Sequence, residues 1–130
     1  MMKKILLFTL IALTVISCKK ETTIDYAIIS GKIINASSNK ITIYDRYTFG
    51  EKQEINLQED GSFNDTIHIT QSGFYSLVEK RNSVNLFLSK GDNLKINFNA
   101  KKLDSTLSIA GKGNQITNYL SKKNNLTKEL

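Results

Sequence analysis

The chain carries one histidine, one cysteine and twelve carboxylates, so any reacting constellation has few residues to draw on. His68 lies between Ile67 and Ile69 in an alternating run, which points its ring away from a core. A single histidine gives no second candidate for a Ser–His–Asp or Cys–His arrangement and cannot build a closed zinc site. Asp60, Asp65, Asp92 and Asp104 are separated by strand-like runs, and none opens an EF-hand loop. Asp92, in Lys90-Gly91-Asp92, reads as a turn residue. Glycines ahead of a helix can hold an anion on backbone amides, and Gly111-Lys112-Gly113-Asn114 has that form. It lacks the Gly-x-x-x-x-Gly-Lys-Ser/Thr spacing of a P-loop. No catalytic residue, metal site or cofactor is expected, and the chain reads as a non-enzyme.

Cys18 is the exception among these residues, because its position prescribes its chemistry. Lys3 and Lys4 precede an apolar stretch over 5–16 that only Thr9 and Thr14 interrupt. It is shorter than the roughly 20 residues a bilayer span requires and suits the apolar region of a signal peptide. The stretch ends in Val15-Ile16-Ser17-Cys18, which resembles the lipobox of bacterial lipoproteins. That resemblance implies cleavage between Ser17 and Cys18, a diacylglyceryl group on the thiol, and acylation of the new amine. Two or three acyl chains anchor a protein stably. An acylated Cys18 leaves no thiol for a disulfide, a metal or redox work. Lys19 stands where an aspartate would resemble an inner-membrane retention signal, so an outer-membrane lipoprotein facing the periplasm or the cell surface is expected. Lys19-Lys20-Glu21 also resembles the charged export tags of surface lipoproteins.

The net charge is +6, but only Arg46 and Arg81 are arginine and the lysines are scattered. Nucleic-acid readers concentrate arginine for bidentate contacts, so no nucleic-acid partner is expected. Lys19 and Lys20 suit an acidic membrane surface. Tyr26, Tyr44, Tyr47, Phe49, Phe74 and Tyr75 could stack sugars, which leaves a surface glycan-binding module as an alternative role. Most are expected in the core or in cross-strand pairs. Asp65-Thr66-Ile67 and Asp104-Ser105-Thr106 resemble an O-glycosylation sequon, with Thr66 and Ser105 as acceptors.

These residues must be positioned by short strands. Period-2 alternation and turn signals predict strands over 26–35, 40–47, 52–58, 62–70, 74–80, 83–89, 93–99 and 106–110. Gly31 marks a bulge or close approach. Glu59-Asp60-Gly61 is the strongest hairpin signal. About eight strands at this spacing predict an all-β fold, an antiparallel β-sandwich or barrel, without room for helical crossovers. From 114 to 130 the alternation stops. Asn114 suits an N-cap, and Ile116, Tyr119, Leu120 and Leu126 fall on one stripe of a C-terminal helix that needs a partner surface. The expected organisation is a signal peptide at 1–17, lipidated cysteine and tether at 18–25, a sandwich at 26–112 and a helix at 113–130.

Several pieces together resemble a known arrangement. They are Ile29-Ser30-Gly31-Lys32-Ile33, Asp60-Gly61-Ser62-Phe63, the run Leu86-Phe87-Leu88-Ser89-Lys90-Gly91-Asp92-Asn93-Leu94, and Gly111-Lys112-Gly113 leading to Asn118-Tyr119-Leu120. They are similar to the uncharacterised β-rich domain that precedes thioredoxin in TlpA/ResA-like thiol-disulfide oxidoreductase lipoproteins. The resemblance implies an accessory domain. The Cys-x-x-Cys of those enzymes has no counterpart here. The first expectation is a non-catalytic, lipid-anchored envelope domain serving protein contact or spacing through its C-terminal helix. The alternative is the accessory portion of an oxidoreductase, with a thioredoxin domain as the helix's partner.

Overall fold

Alternating side chains give each strand one apolar face, and two sheets bury those faces against each other. The computed structural model describes residues 18, 22–48 and 52–129. The expected signal peptide at 1–17, the Lys19-Lys20-Glu21 stretch, the expected turn at Phe49-Gly50-Glu51 and Leu130 lie outside the described residues.

The strands are β1 (Tyr26–Ile34), β2 (Lys40–Asp45), β3 (Lys52–Asn56), β4 (Ser62–His68), β5 (Gly73–Glu79), β6 (Asn82–Leu88), β7 (Asn93–Asn99) and β8 (Ser108–Lys112). A short helix α1 (Leu103–Thr106) precedes β8, and α2 (Asn114–Glu129) follows it. One sheet has the order β4-β1-β7-β8 and the other β3-β2-β5-β6. This is the all-β sandwich that the strand spacing predicts.

Between the sheets lie Ala27, Ile29, Ile33, Phe63, Ile67, Leu94, Ile96, Phe98 and Ile109 from the first, and Ile41, Ile43, Ile55, Tyr75, Leu77, Val84, Leu86 and Leu88 from the second. Each fully buried aliphatic side chain contributes about 1.5–3 kcal/mol of transfer free energy. Cohesion comes from this layer.

The pairing corrects one expectation. β1 pairs antiparallel with β4 but parallel with β7, in the register Ile28↔Asn93 to Ile34↔Asn99. The strand spacings exclude a short helical crossover, yet the connection from β1 to β7 runs through β2–β6, four strands of which form the opposite sheet. A parallel pair needs a long return path, and the second sheet supplies it. Gly31 sits in the middle of β1 with φ +152°, and a Cβ there would collide with the Ile96 carbonyl oxygen across the parallel pair. The expected close approach is therefore between two backbones.

Boundaries shift where side chains claim backbone groups. β2 stops at Asp45, whose Oδ1 accepts from the Tyr47 amide at 2.8 Å, turning the chain two residues before the predicted end. The predicted strand at 106–110 gives way to α1 at its start and runs to Lys112. Thr106 Oγ1 accepts from the Asn99 amide at 2.9 Å and donates to the Lys102 carbonyl at 2.6 Å, so the hydroxyl favours a turn there. The β3–β4 turn forms as expected. The Ser62 hydroxyl and then its amide, at 2.6 and 3.0 Å, hold the Asp60 carboxyl below its ordinary pKa range.

The β5–β6 hairpin turns through Lys80 and Arg81, with Lys80 at φ 52°. A side chain in that region costs roughly 1–2 kcal/mol, which glycine avoids at some cost in unfolded-state entropy. Lys80→Gly is expected to stabilise the chain by about 0.5–1 kcal/mol. The check is a higher urea midpoint at unchanged slope.

Candidate functional site

A four-stranded sheet has two edges, and each exposes unpaired N–H and C=O groups. Here β6 and β8 lie at one side of the sandwich and β3 and β4 at the other. Helix α2 closes the first side. Thr117, fully buried, accepts from the Phe87 amide at 3.0 Å and donates to the Phe87 carbonyl at 3.3 Å. One hydroxyl thereby satisfies both outward groups of an edge residue on β6. The next residue, Asn118, donates from Nδ2 to the Ile109 carbonyl on β8 at 3.0 Å. Lys128, in the last turn, meets the Asp104 carboxylate at 2.9 Å. On the opposite side, Gln53 Nε2 donates to the Thr66 carbonyl at 2.9 Å, joining β3 to β4.

This docking corrects the predicted helical stripe. Ile116, Tyr119 and Leu126 are 47%, 65% and 63% exposed respectively, while Thr117 is buried and Leu120 and Ser121 are half-buried. The surface under α2 presents edge carbonyls and amides, so a polar side chain able to both donate and accept displaces the apolar row from the contact. Gly113 precedes the helix, and the Asp92 carboxylate lies against it, where a Cβ would clash. Asp92 Oδ2 also accepts from the Ser89 amide at 2.8 Å. The Asp92 carboxylate therefore stands at the helix start, the place an anion held by Gly111-Lys112-Gly113-Asn114 would need.

Between α2 and the outer face of the β3-β2-β5-β6 sheet lies a cleft of about 470 Å³. Its lining is Arg46, Tyr47, Phe74, Asn85, Leu120, Lys123 and Asn124. The aromatic floor is layered. Tyr47 and Phe74 have ring centroids 6.1 Å apart, and Phe74 meets Phe87 edge-on at 5.2 Å and 73°. The Arg46 amide donates to the Phe74 carbonyl at 2.9 Å, which fixes the loop beside its floor. Sequence reasoning marks Tyr47 and Phe74 as aromatics but not the cleft, because Leu120, Lys123 and Asn124 reach it only through the helix docking.

The remaining candidates are dispersed. Cys18 is exposed; Ser17 lies outside the described residues. Thr66 and Ser105 are both exposed, on β4 and α1. His68 is exposed as its alternation predicts, with Nδ1 3.6 Å from the Asp25 carboxylate. Such an exposed pair contributes little. Among the described residues no group of three or more His, Cys, Asp or Glu side chains is placed to hold a metal ion. No described helix is long and apolar enough to cross a membrane.

One fully buried carboxylate escapes sequence reasoning. Glu79 Oε1 accepts from the Ser37 and Ser38 amides at 2.7 and 3.0 Å, and Oε2 accepts from Asn82 Nδ2 at 3.1 Å. Asn82 Nδ2 donates also to the Ala100 carbonyl at 2.9 Å. Three turns are tied together by this group. The signal was present in the alternation Tyr75, Leu77, Glu79, which puts Glu79 on the inner face.

No family model matches the chain. No curated protein matches it either. Among solved structures it is similar to a DUF3823 family protein from Bacteroides ovatus, at 14% identity and a TM-score of 0.43, over 56% of this chain and 44% of that one. A DUF3823 family protein from Parabacteroides merdae is similar at 15% identity and a TM-score of 0.38, over 66% of this chain and 46% of that one. The chain thus spans under half the length of either structure. Neither likeness links it to the thioredoxin lipoproteins that its turn motifs resemble.

Two predictions follow from these contacts. Thr117→Val leaves both Phe87 backbone groups without their partner and is expected to cost roughly 1–3 kcal/mol, whereas Thr117→Ser keeps the hydroxyl; urea denaturation of the pair separates hydroxyl from methyl. Burial, and then the Asp45 charge, raise the Tyr75 pKa above its ordinary value. The folded chain therefore retains the phenolic proton after the unfolded chain has lost it. The resulting stability is complete below about pH 10 and is lost as pH rises through the folded pKa. Tyr75→Phe should flatten the alkaline limb of the stability–pH curve.

Proposed function

We propose that this chain is the β-sandwich of a lipid-anchored cell-envelope protein, tethered at Cys18 and serving as a non-catalytic contact domain. The observation that carries the reading is the lipobox pattern Val15-Ile16-Ser17-Cys18, with its only cysteine at the end of the apolar stretch. The geometry agrees with a tether. Residues 22–25 are exposed and outside any helix or strand, and the first bond to the sandwich is the Ile69 amide donating to the Asp25 carbonyl at 2.8 Å. Lipid would then enter through a short polar lead.

The contact role rests on the outward face of α2. Ile116, Tyr119 and Leu126 recur at positions that share one side of a helix. Their exposure leaves an apolar row on a helix already fixed to the sandwich by Thr117 and Asn118. A rigid helix with an uncovered apolar row suits a protein partner.

The test is the intact mass of the protein extracted in detergent from its native envelope. A chain beginning at Cys18 with two or three acyl groups is expected, and Cys18→Ser should move the protein to the soluble fraction. An unacylated Cys18 in the native material would remove the anchor from this reading.

A further inference from the structure

The cleft beneath α2 contains more chemistry than a contact domain needs. Its floor exposes Tyr47, 72% accessible, although a tyrosine ring commonly buries its apolar faces. Phe74 lies beside that ring and is itself met edge-on by Phe87, so the aromatic surface continues into the sheet face. The walls bring two cations from separate parts of the chain, Arg46 from the segment after β2 and Lys123 from α2. Among the described residues the ion pairs are Lys40–Glu54, His68–Asp25 and Lys128–Asp104, so neither cleft cation is neutralised by one of them. Asn85 and Asn124 add two carboxamides, each a donor and an acceptor.

We propose that this cleft binds a carboxylated sugar, a hexuronic acid residue of an acidic saccharide. Each part of the lining matches a part of that ligand. The apolar C–H face of a pyranose stacks on Tyr47 and Phe74. Its vicinal hydroxyls both donate and accept, as Asn85 and Asn124 do. Its carboxylate meets the planar guanidinium of Arg46, which can bond both oxygens, with Lys123 opposite. A volume of about 470 Å³ lies within the range of small-molecule sites and accommodates one or two sugar rings. A simple inorganic anion would use the cations and leave the aromatic floor unexplained. A neutral sugar would use the floor and leave Arg46 and Lys123 unexplained. The inference goes beyond the anchoring reading and holds with or without lipid on Cys18.

The experiment is calorimetric titration of the full chain, purified in detergent, with trigalacturonate. Galactotriose and inorganic phosphate serve as parallel probes. Saturable binding of trigalacturonate is expected, at least tenfold tighter than galactotriose and weakening with salt as the cationic contacts are screened. Tyr47→Ala and Arg46→Gln, both exposed positions, should each lower the affinity about tenfold, the equivalent of one charge-assisted or stacking contact. Circular dichroism and the urea midpoint of each variant check that the fold is intact. Equal affinity for the neutral trisaccharide, displacement of trigalacturonate by millimolar phosphate, or no saturable binding would each overturn the proposal. So would unchanged affinity in both folded variants.

Discussion

The hydroxyl of Thr117 accepts and donates at once to the same residue of an edge strand, and the site depends on that bond pair. Two stacked sheets bury their inner faces readily, but their edges face a different problem. An edge strand needs partners for backbone groups, and a second strand added there would extend the sheet instead of ending it. A helix cannot continue the ladder, so it ends the sheet if its side chains can satisfy the edge. Thr117 and Asn118 do so for β6 and β8 with adjacent residues. The consequence reaches beyond the edge. Once α2 is seated on β6, Leu120, Lys123 and Asn124 stand over Phe74 and Asn85, and a sheet face becomes one wall of a cleft.

Glu79 performs the corresponding task at the other end of the sandwich. A buried carboxylate is costly unless hydrogen bonds replace its hydration. Here two amides of the β1–β2 turn and the Asn82 carboxamide supply them. The acceptor capacity of Glu79 is committed to holding turns together, which argues against a role as an acid or base. Reactive side-chain types in this chain are thus employed structurally: Glu79 at the turns, Asp92 beside Gly113, and Asp60 at the β3–β4 turn. The polar groups that face the cleft, Arg46, Asn85, Lys123 and Asn124, suit recognition more than bond-making.

Local rules make much of this fold legible in the sequence. Alternation placed the inward residues of β4, β6 and β7, because each strand has one buried face and the period of two is unambiguous. Asp60-Gly61 and Lys90-Gly91-Asp92 marked turns because their backbone requirements are local. The parallel β1–β7 pair was not legible, since it depends on a return through another sheet and not on either strand's own pattern. The helix was legible but its orientation was not. Apolar periodicity puts Ile116, Tyr119, Leu120 and Leu126 on the stripe that seeks a partner surface, whereas the surface that receives the helix offers hydrogen-bonding groups. Polarity of the partner, invisible in a single segment, selected Thr117. The cleft was hidden for the same reason, as it forms only when that selection has been made.

The same ordering constrains how an anchored chain would present its cleft. Tyr26 opens β1 opposite His68 at the end of β4, and the short connection from β4 leads to β5, whose second residue is Phe74. Asp45, which ends β2 ahead of Arg46 and Tyr47, pairs with Tyr75. The cleft floor therefore lies at the end of the sandwich where the tether enters. Tyr26 lies eight positions after Cys18, a reach of roughly 26–29 Å when fully extended. With a lipid on Cys18, that span would hold the cleft near the membrane, while Glu79 and its turns would face away. Such an anchor would favour a thin, flexible ligand able to thread between domain and membrane over a globular partner approaching that end. The exposed row on α2 runs along the flank instead, where a membrane on that side would not exclude bulk.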